Sequence, residues 1–125
     1  MPAPYAESPG RWTFDFARDG HAGMSWAPTP DMANPFGSVH GGIIATVIDE
    51  ACGAALMPSI DTPSAPTVSL RVEYLHPVTI GGTYTVASEI VRRGRAMAIV
   101  DARISDDGGT VLARGTCFFQ IPRPK

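Results

Sequence analysis

The stretch Asn34-Pro35-Phe36-Gly37-Ser38-Val39-His40-Gly41-Gly42, followed by Ile43-Ile44-Ala45-Thr46-Val47-Ile48-Asp49-Glu50-Ala51-Cys52-Gly53, decides how the rest of the chain is read. A loop rich in turn residues runs into a His-Gly-Gly corner, and the corner opens an apolar segment long enough for a helix. Two carboxylates, Asp49 and Glu50, sit in the middle of that segment. A carboxylate in apolar surroundings is costly unless it is partnered, so the pair asks for a reason. Projected at about 100° per residue, Ile43, Ile44, Val47, Ile48, Ala51 and Ala54 fall on one broad side that should pack on a core. Ala45, Asp49, Cys52 and Gly53 fall on another side, with Thr46 at its edge. Asp49 therefore stands among small residues that leave room for a ligand or a second chain. Glu50 projects elsewhere, near Thr46 and Ile43, at the edge of the packed face.

Outward from this helix, expected over residues 41–57, the pattern is almost entirely that of strands. Residues 11–17 alternate, with Trp12, Phe14 and Phe16 against Arg11, Thr13 and Asp15, as in a strand with one buried face. Asp19-Gly20 is a turn signal, and residues 22–27 complete a hairpin. Residues 67–75 alternate again, Val68, Leu70, Val72 and Tyr74 on one face and Ser69, Arg71 and Glu73 on the other. Three longer strands follow at 83–93, 95–104 and 110–121, separated by Gly94 and by Asp106-Asp107-Gly108-Gly109. The expected class is α+β, an antiparallel sheet of five to six strands with one long helix. Residues 1–10 form an expected flexible tail before a single domain at 11–125. One helix cannot cover both faces of such a sheet, so a second copy of the chain is expected to complete it.

Composition limits the function. The chain has 125 residues, 44% of them apolar, and a formal net charge of −2. That length builds one real core, and that balance does not suggest a nucleic-acid or membrane-surface protein. No apolar leader and no run approaching a membrane span are read, and a cytoplasmic location is expected. Cys52 and Cys117 make no disulfide framework and read as small core residues in a reducing compartment. No phosphate-binding glycine loop, no Cys/His metal spacing and no Gly-x-Ser-x-Gly elbow is present.

With these residues in view, the sequence resembles the hotdog-fold thioesterases of the phenylacetic-acid-degradation (PaaI) type. The most specific part is Asn34, the His40-Gly41-Gly42 corner and Asp49 nine positions after His40. Val68-Ser69, Tyr74-Leu75-His76-Pro77, Ile80-Gly81 and Gly94-Arg95 support it. The resemblance implies a hotdog fold, a sheet wrapped around one long central helix. It also implies a homodimer with sheets joined edge to edge, often a homotetramer, and a site between subunits. Asn34 and His40-Gly41 would come from one chain and Asp49 from the other. The implied activity is hydrolysis of an acyl-CoA, an aromatic or medium-chain one, with no separate cofactor because coenzyme A is part of the substrate. Asp49 is then general base or nucleophile. The Gly41 N–H, at a helix start where amides lack intrahelical partners, is the oxyanion donor, with Gly42 beside the substrate. His40 has an orienting role, Asn34 positions water or carbonyl, and Ser69 is a water-positioning hydroxyl beside the acid. Glu50, by its place on the helix, reads as structural or as part of a subunit contact. Arg92, Arg93 and Arg95 around Gly94 either blunt a sheet edge or hold coenzyme A phosphates. Two other readings stand beside hydrolysis: a non-catalytic acyl-CoA-binding module and a hotdog hydratase or dehydratase.

Overall fold

The computed structural model describes residues 12–62 and 65–123, so the expected tail at 1–10 lies outside the described residues. Six strands and one long helix follow in order: β1 (Trp12–Arg18), β2 (His21–Trp26), α1 (Gly41–Leu56), β3 (Thr67–Tyr74), β4 (Tyr84–Arg93), β5 (Met97–Ser105) and β6 (Val111–Gln120). Single 3₁₀ turns at Pro30–Met32 and Met57–Ser59 flank the helix. The strands form one antiparallel sheet in the order β1-β2-β4-β5-β6-β3. This is the expected hotdog architecture.

The first hairpin closes as its sequence requires. Asp19 and Gly20 carry φ values of 55° and 76°, the consecutive left-handed pair that matches the twist of the strands it joins. The helix is held differently. Its interior is rich in β-branched residues, which are mediocre helix formers. What fixes it is burial of Ile44, Val47, Ile48, Ala51, Cys52, Ala55 and Leu56 against Met24, Trp26, Val86, Val100 and Ile104 of the sheet. Each large aliphatic side chain so buried contributes roughly 1.5–3 kcal/mol. The buried Ser88 hydroxyl donates to the Ala51 carbonyl at 2.6 Å, tying β4 to the helix. The sheet wraps more of the helix than the projection allowed. Cys52, expected on the open side with Asp49, is fully buried, while Ile43 and Ala54 are only half-buried. Gly41–Ser59, with its 19 residues, is also long and apolar enough to cross a bilayer by length and composition, which corrects the expectation that no run approaches that limit. Here it is the core helix of the sheet.

Four strands depart from simple alternation, each at a bulge; in β6 the register jumps from Ile104↔Ala113 to Ser105↔Val111, with Leu112 extra. In β1 the register jumps from Phe14↔Met24 to Phe16↔Gly23. The extra residue, Asp15, turns Phe16 off the face shared by Trp12 and Phe14, and Phe16 is exposed. In β3 it jumps from Thr67↔Phe119 to Ser69↔Phe118, with Val68 extra. In β4 it jumps from Ile90↔Val100 to Arg92↔Ile99, with Val91 extra. An added residue in one strand moves every side chain beyond it to the other face. β3 is also an edge strand. Leu70, Val72 and Tyr74 pair with the inward-facing Cys117, Gly115 and Ala113, yet Val68 and Tyr74 are 60% and 53% exposed. The apolar face expected for this strand is open in a single chain.

Candidate active site

The loop before α1 is built by Asn34. Its Oδ1 accepts the amides of Phe36 at 2.9 Å and Ser38 at 3.2 Å, and its own N–H donates to the Ser38 carbonyl at 2.7 Å. This is the side-chain turn that Asn favours. It occupies Oδ1 and leaves Nδ2 as the donor with which Asn34 can meet another group. The Val39 N–H donates to the Val78 carbonyl and the His40 N–H to the Met32 carbonyl, which fixes the corner on the core. His40 is the N-cap of α1; its exposed ring makes no capping bond, and its carbonyl receives the amides of Ile43 and Ile44. The amides of Gly41 and Gly42 belong to the first turn, where no carbonyl precedes them within the helix. The Tyr74 hydroxyl donates to the Gly41 carbonyl at 2.7 Å, and a Cβ on Gly41 would stand 3.3 Å from the Tyr74 ring. Gly41, Ser38, Tyr74, His76 and Pro77 line a shallow cavity of about 340 Å³.

The acid lies elsewhere. Asp49 is half-buried, and two donors meet on its Oδ1: the Thr67 hydroxyl at 2.8 Å and the Cys117 thiol at 3.8 Å. Among the described residues no hydrogen bond reaches Oδ2. Asp49 lines a second cavity, of about 710 Å³, whose other walls include Phe14, Gly53, Ala54, Met57 and Phe119. That volume falls within the usual range of small-molecule sites. A Cβ on Gly53 would meet nothing within 4 Å, so the small residues around Asp49 do leave open space. Glu50 lines the same cavity rather than a separate face. Burial first, and then the Asp49 carboxylate beside it, push Glu50 above its ordinary value of 4.5.

Thr67, not Ser69, is the hydroxyl on the acid within the chain. The extra residue Val68 explains the difference. Thr67 pairs with the inward Phe119, whereas Ser69 pairs with Phe118, which alternates away from the buried Cys117 and Phe119. Arg92 and Arg93 are consecutive in β4 and so face opposite ways. Arg93 faces the helix side opposite Ala98 and donates to the carbonyls of Ser59 at 2.9 Å and Gly94 at 2.7 Å. A cation there suits the negative end of α1. Arg92 pairs with Ile99 and, like Arg95, is exposed. Gly94 closes the hairpin by donating to the Met97 carbonyl at 2.8 Å.

Gly41 and Asp49 thus stand on one helix but in different cavities. Eight residues at a rise of 1.5 Å separate them by about 12 Å along the axis. A thioester carbonyl cannot touch both in one chain, since attack and oxyanion binding need contacts of about 3 Å.

Comparison with known proteins identifies the family. Residues 36–113 match the family model of the thioesterase superfamily. Acyl-coenzyme A thioesterase 13 of Mus musculus is 26% identical over 66% of this chain and 59% of its own length; the chain matches about three fifths of the length of such curated relatives. The crystal structure of S. sahachiroi AziG superposes with a TM-score of 0.90 at 25% identity, covering 98% of each chain. A hypothetical thioesterase of Streptococcus pneumoniae TIGR4, crystallised with coenzyme A, shares the fold at a TM-score of 0.84 and 22% identity, over 92% of this chain and 88% of that one. The family model spans more than half of the sequence, and the chain belongs to the thioesterase superfamily.

Proposed function

We propose that the protein is an acyl-CoA thioesterase that works as a homodimer, with each site assembled from two chains. The observation that carries this reading is Asp49, a carboxylate braced on one oxygen by Thr67 and Cys117 at the wall of an apolar cavity. Membership of the thioesterase superfamily supports hydrolysis. The name of the mouse relative and the coenzyme A in the streptococcal structure support acyl-CoA as substrate. Phe14, Met57 and Phe119 around the cavity suit an aromatic or medium-chain acyl group.

The thioester carbonyl accepts the Gly41 N–H of one chain, with Gly42 and the Asn34 Nδ2 beside it. Asp49 of the other chain takes a proton from water as the water oxygen bonds to the carbonyl carbon. The oxyanion collapses, the C–S bond breaks, and the thiolate leaves with the proton held by Asp49, giving free acid and coenzyme A. Direct attack by the Asp49 carboxylate reaches the same products through a mixed anhydride that water then opens. A thiolate is a good leaving group, its conjugate acid having a pKa of about 8.5, so the demand falls on the base and the oxyanion donor. His40 orients the corner, and the exposed Arg92 and Arg95 are the arginines left to meet coenzyme A phosphates. Pairing of dimers into a homotetramer and a cytoplasmic location complete the reading; the free, buried thiols of Cys52 and Cys117 fit a reducing compartment.

Thiol release from a panel of acyl-CoAs tests the reaction. A binding module releases none, and a hydratase returns a hydroxyacyl-CoA with its thioester intact. Complementation tests the assembly. An Asp49→Asn chain paired with an Asn34→Ala chain concentrates both lesions in one site and leaves the other whole. A purified mixed dimer should recover roughly half of wild-type turnover. Recovery no greater than the mean of the two homodimers would place each site within one chain.

A further inference from the structure

We infer that the Cys117 thiol is a positioning residue for Asp49: it pins Oδ1 together with Thr67, so that Oδ2 is the oxygen presented to the substrate. The inference rests on the proposed thioesterase reading and extends it to a residue that the family motif does not include. Two observations carry it. First, Cys117 Sγ donates to Asp49 Oδ1 at 3.8 Å, on the same oxygen that receives Thr67 Oγ1 at 2.8 Å. The two donors come from adjacent strands, β6 and β3, and approach one oxygen of a helix residue. A carboxylate gripped on one oxygen loses the freedom to turn about its last bond. Second, Cys117 is fully buried, so water does not reach the thiol itself. The neighbouring buried thiol, Cys52, takes no part in this grip, because its one proton is donated to the Val100 carbonyl at 3.5 Å.

An alternative role for Cys117 is plain filling of the core, which predicts loss of stability without a specific loss of turnover. Four variants separate the two: Cys117→Ala, Cys117→Val, Cys117→Ser and Cys52→Ala. Val keeps bulk without a donor, and Ser keeps a donor with less bulk. We expect Cys117→Ala and Cys117→Val to lower kcat about tenfold with KM little changed, the scale of one bond to a charged group. Cys117→Ser should return kcat to within about threefold of wild type, because the donor is restored. Cys52→Ala should lower the melting temperature and leave kcat near wild type, since the Cys52 thiol bonds the Val100 carbonyl and not Asp49. Added to Asp49→Asn, Cys117→Ala should cut the residual turnover no further, as expected of a residue that acts through the acid. Full turnover in Cys117→Val, equal losses in Ala and Ser variants, or an additive loss on the Asp49→Asn background each overturn the inference. If one Cys117 variant fails to fold, the comparison of the remaining two with wild type decides. The two readings fail differently: an active Asp49→Asn protein removes the proposed function, whereas an inactive Asp49→Asn protein with a fully active Cys117→Val variant removes only the role of Cys117.

Discussion

Replacing Gly115 by Ala should lift the helix that carries Asp49. Gly115 lies in β6 beneath α1. A Cβ there would stand 2.8 Å from Ile48 Cγ2, 2.8 Å from the Arg71 carbonyl oxygen and 3.5 Å from Ile48 Cδ1. Carbon atoms in good contact lie about 3.5–4.0 Å apart, so the helix side alone is short by roughly 0.7 Å or more. Neither neighbour yields easily. Ile48 is fully buried, and the Arg71 carbonyl belongs to a paired strand. Moving away from one drives the methyl into the other. Overpacking of this kind costs about 1–3 kcal/mol. For a chain of this size, between the size classes usually tabulated, a loss of 1 kcal/mol lowers the melting temperature by about 4 °C, so the expected fall is roughly 4–12 °C. Activity should fall as well, because Ile48 precedes Asp49 and any displacement of Ile48 shifts the carboxylate on Thr67 and Cys117. Thermal unfolding followed by circular dichroism, with kcat measured well below the transition, reads both. A melting temperature within about 1 °C of wild type and an unchanged kcat would refute the claim that Gly115 sets the height of the helix.

Three further outcomes are expected. Asp49→Asn should lower kcat by about 10²–10⁴-fold, the usual yield of a positioned base, and Glu50→Gln should be far milder; equal losses in steady-state assays would contradict the assignment. Glu50 is harder to ionise in the folded chain than in the unfolded one, so folding loses stability as pH rises from 4.5 through its raised value. Glu50→Gln removes that loss, and melting curves should show the variant gaining on wild type as pH rises through this window; a constant gap would count against the burial of the carboxyl. Tyr74→Phe deletes the hydroxyl on the Gly41 carbonyl and keeps the ring, so kcat should fall roughly 2–10-fold with KM nearly constant, for a bond worth about 0.5–1.5 kcal/mol; a rise in KM alone would mean that Tyr74 binds substrate instead.

The order of elements was legible because each carried its own local signal. The Asp19-Gly20 turn, the apolar segment after His40-Gly41-Gly42 and the paired glycines before β6 needed no knowledge of the rest of the chain. Asp49 was legible for a related reason: a carboxylate among small residues inside an apolar helix is locally anomalous. The departures in strand facing share one cause. Asp15, Val68 and Val91 are each one residue more than the neighbouring strand can pair, and nothing in their own identities announces it. Strict period-two reading carries across such a residue and assigns everything beyond it to the wrong face. It keeps Phe16 inward, whereas Ser69 is placed beside the acid by the family resemblance and Arg92 and Arg93 are grouped by their nearness to one turn, although consecutive strand residues face opposite ways. The wide burial of Cys52 was hidden differently, since the curvature of the sheet around the helix depends on all six strands together.

One stiff helix carries the Gly41 amide at its start and Asp49 in its middle, with consequences for how two sites in a dimer communicate. In a site built from two chains, each helix serves one site with its first turn and the other with its acid. It then acts as a connecting rod. Substrate that draws Gly41 toward its carbonyl pulls on the same rod that aims the carboxylate across the dimer axis. Any preference of the bound site for a rod position becomes a preference imposed on the empty site, and the reverse holds with equal magnitude. Turnover is then a property of the pair, visible as a Hill coefficient other than one, or as burst kinetics that fill only one site of each dimer.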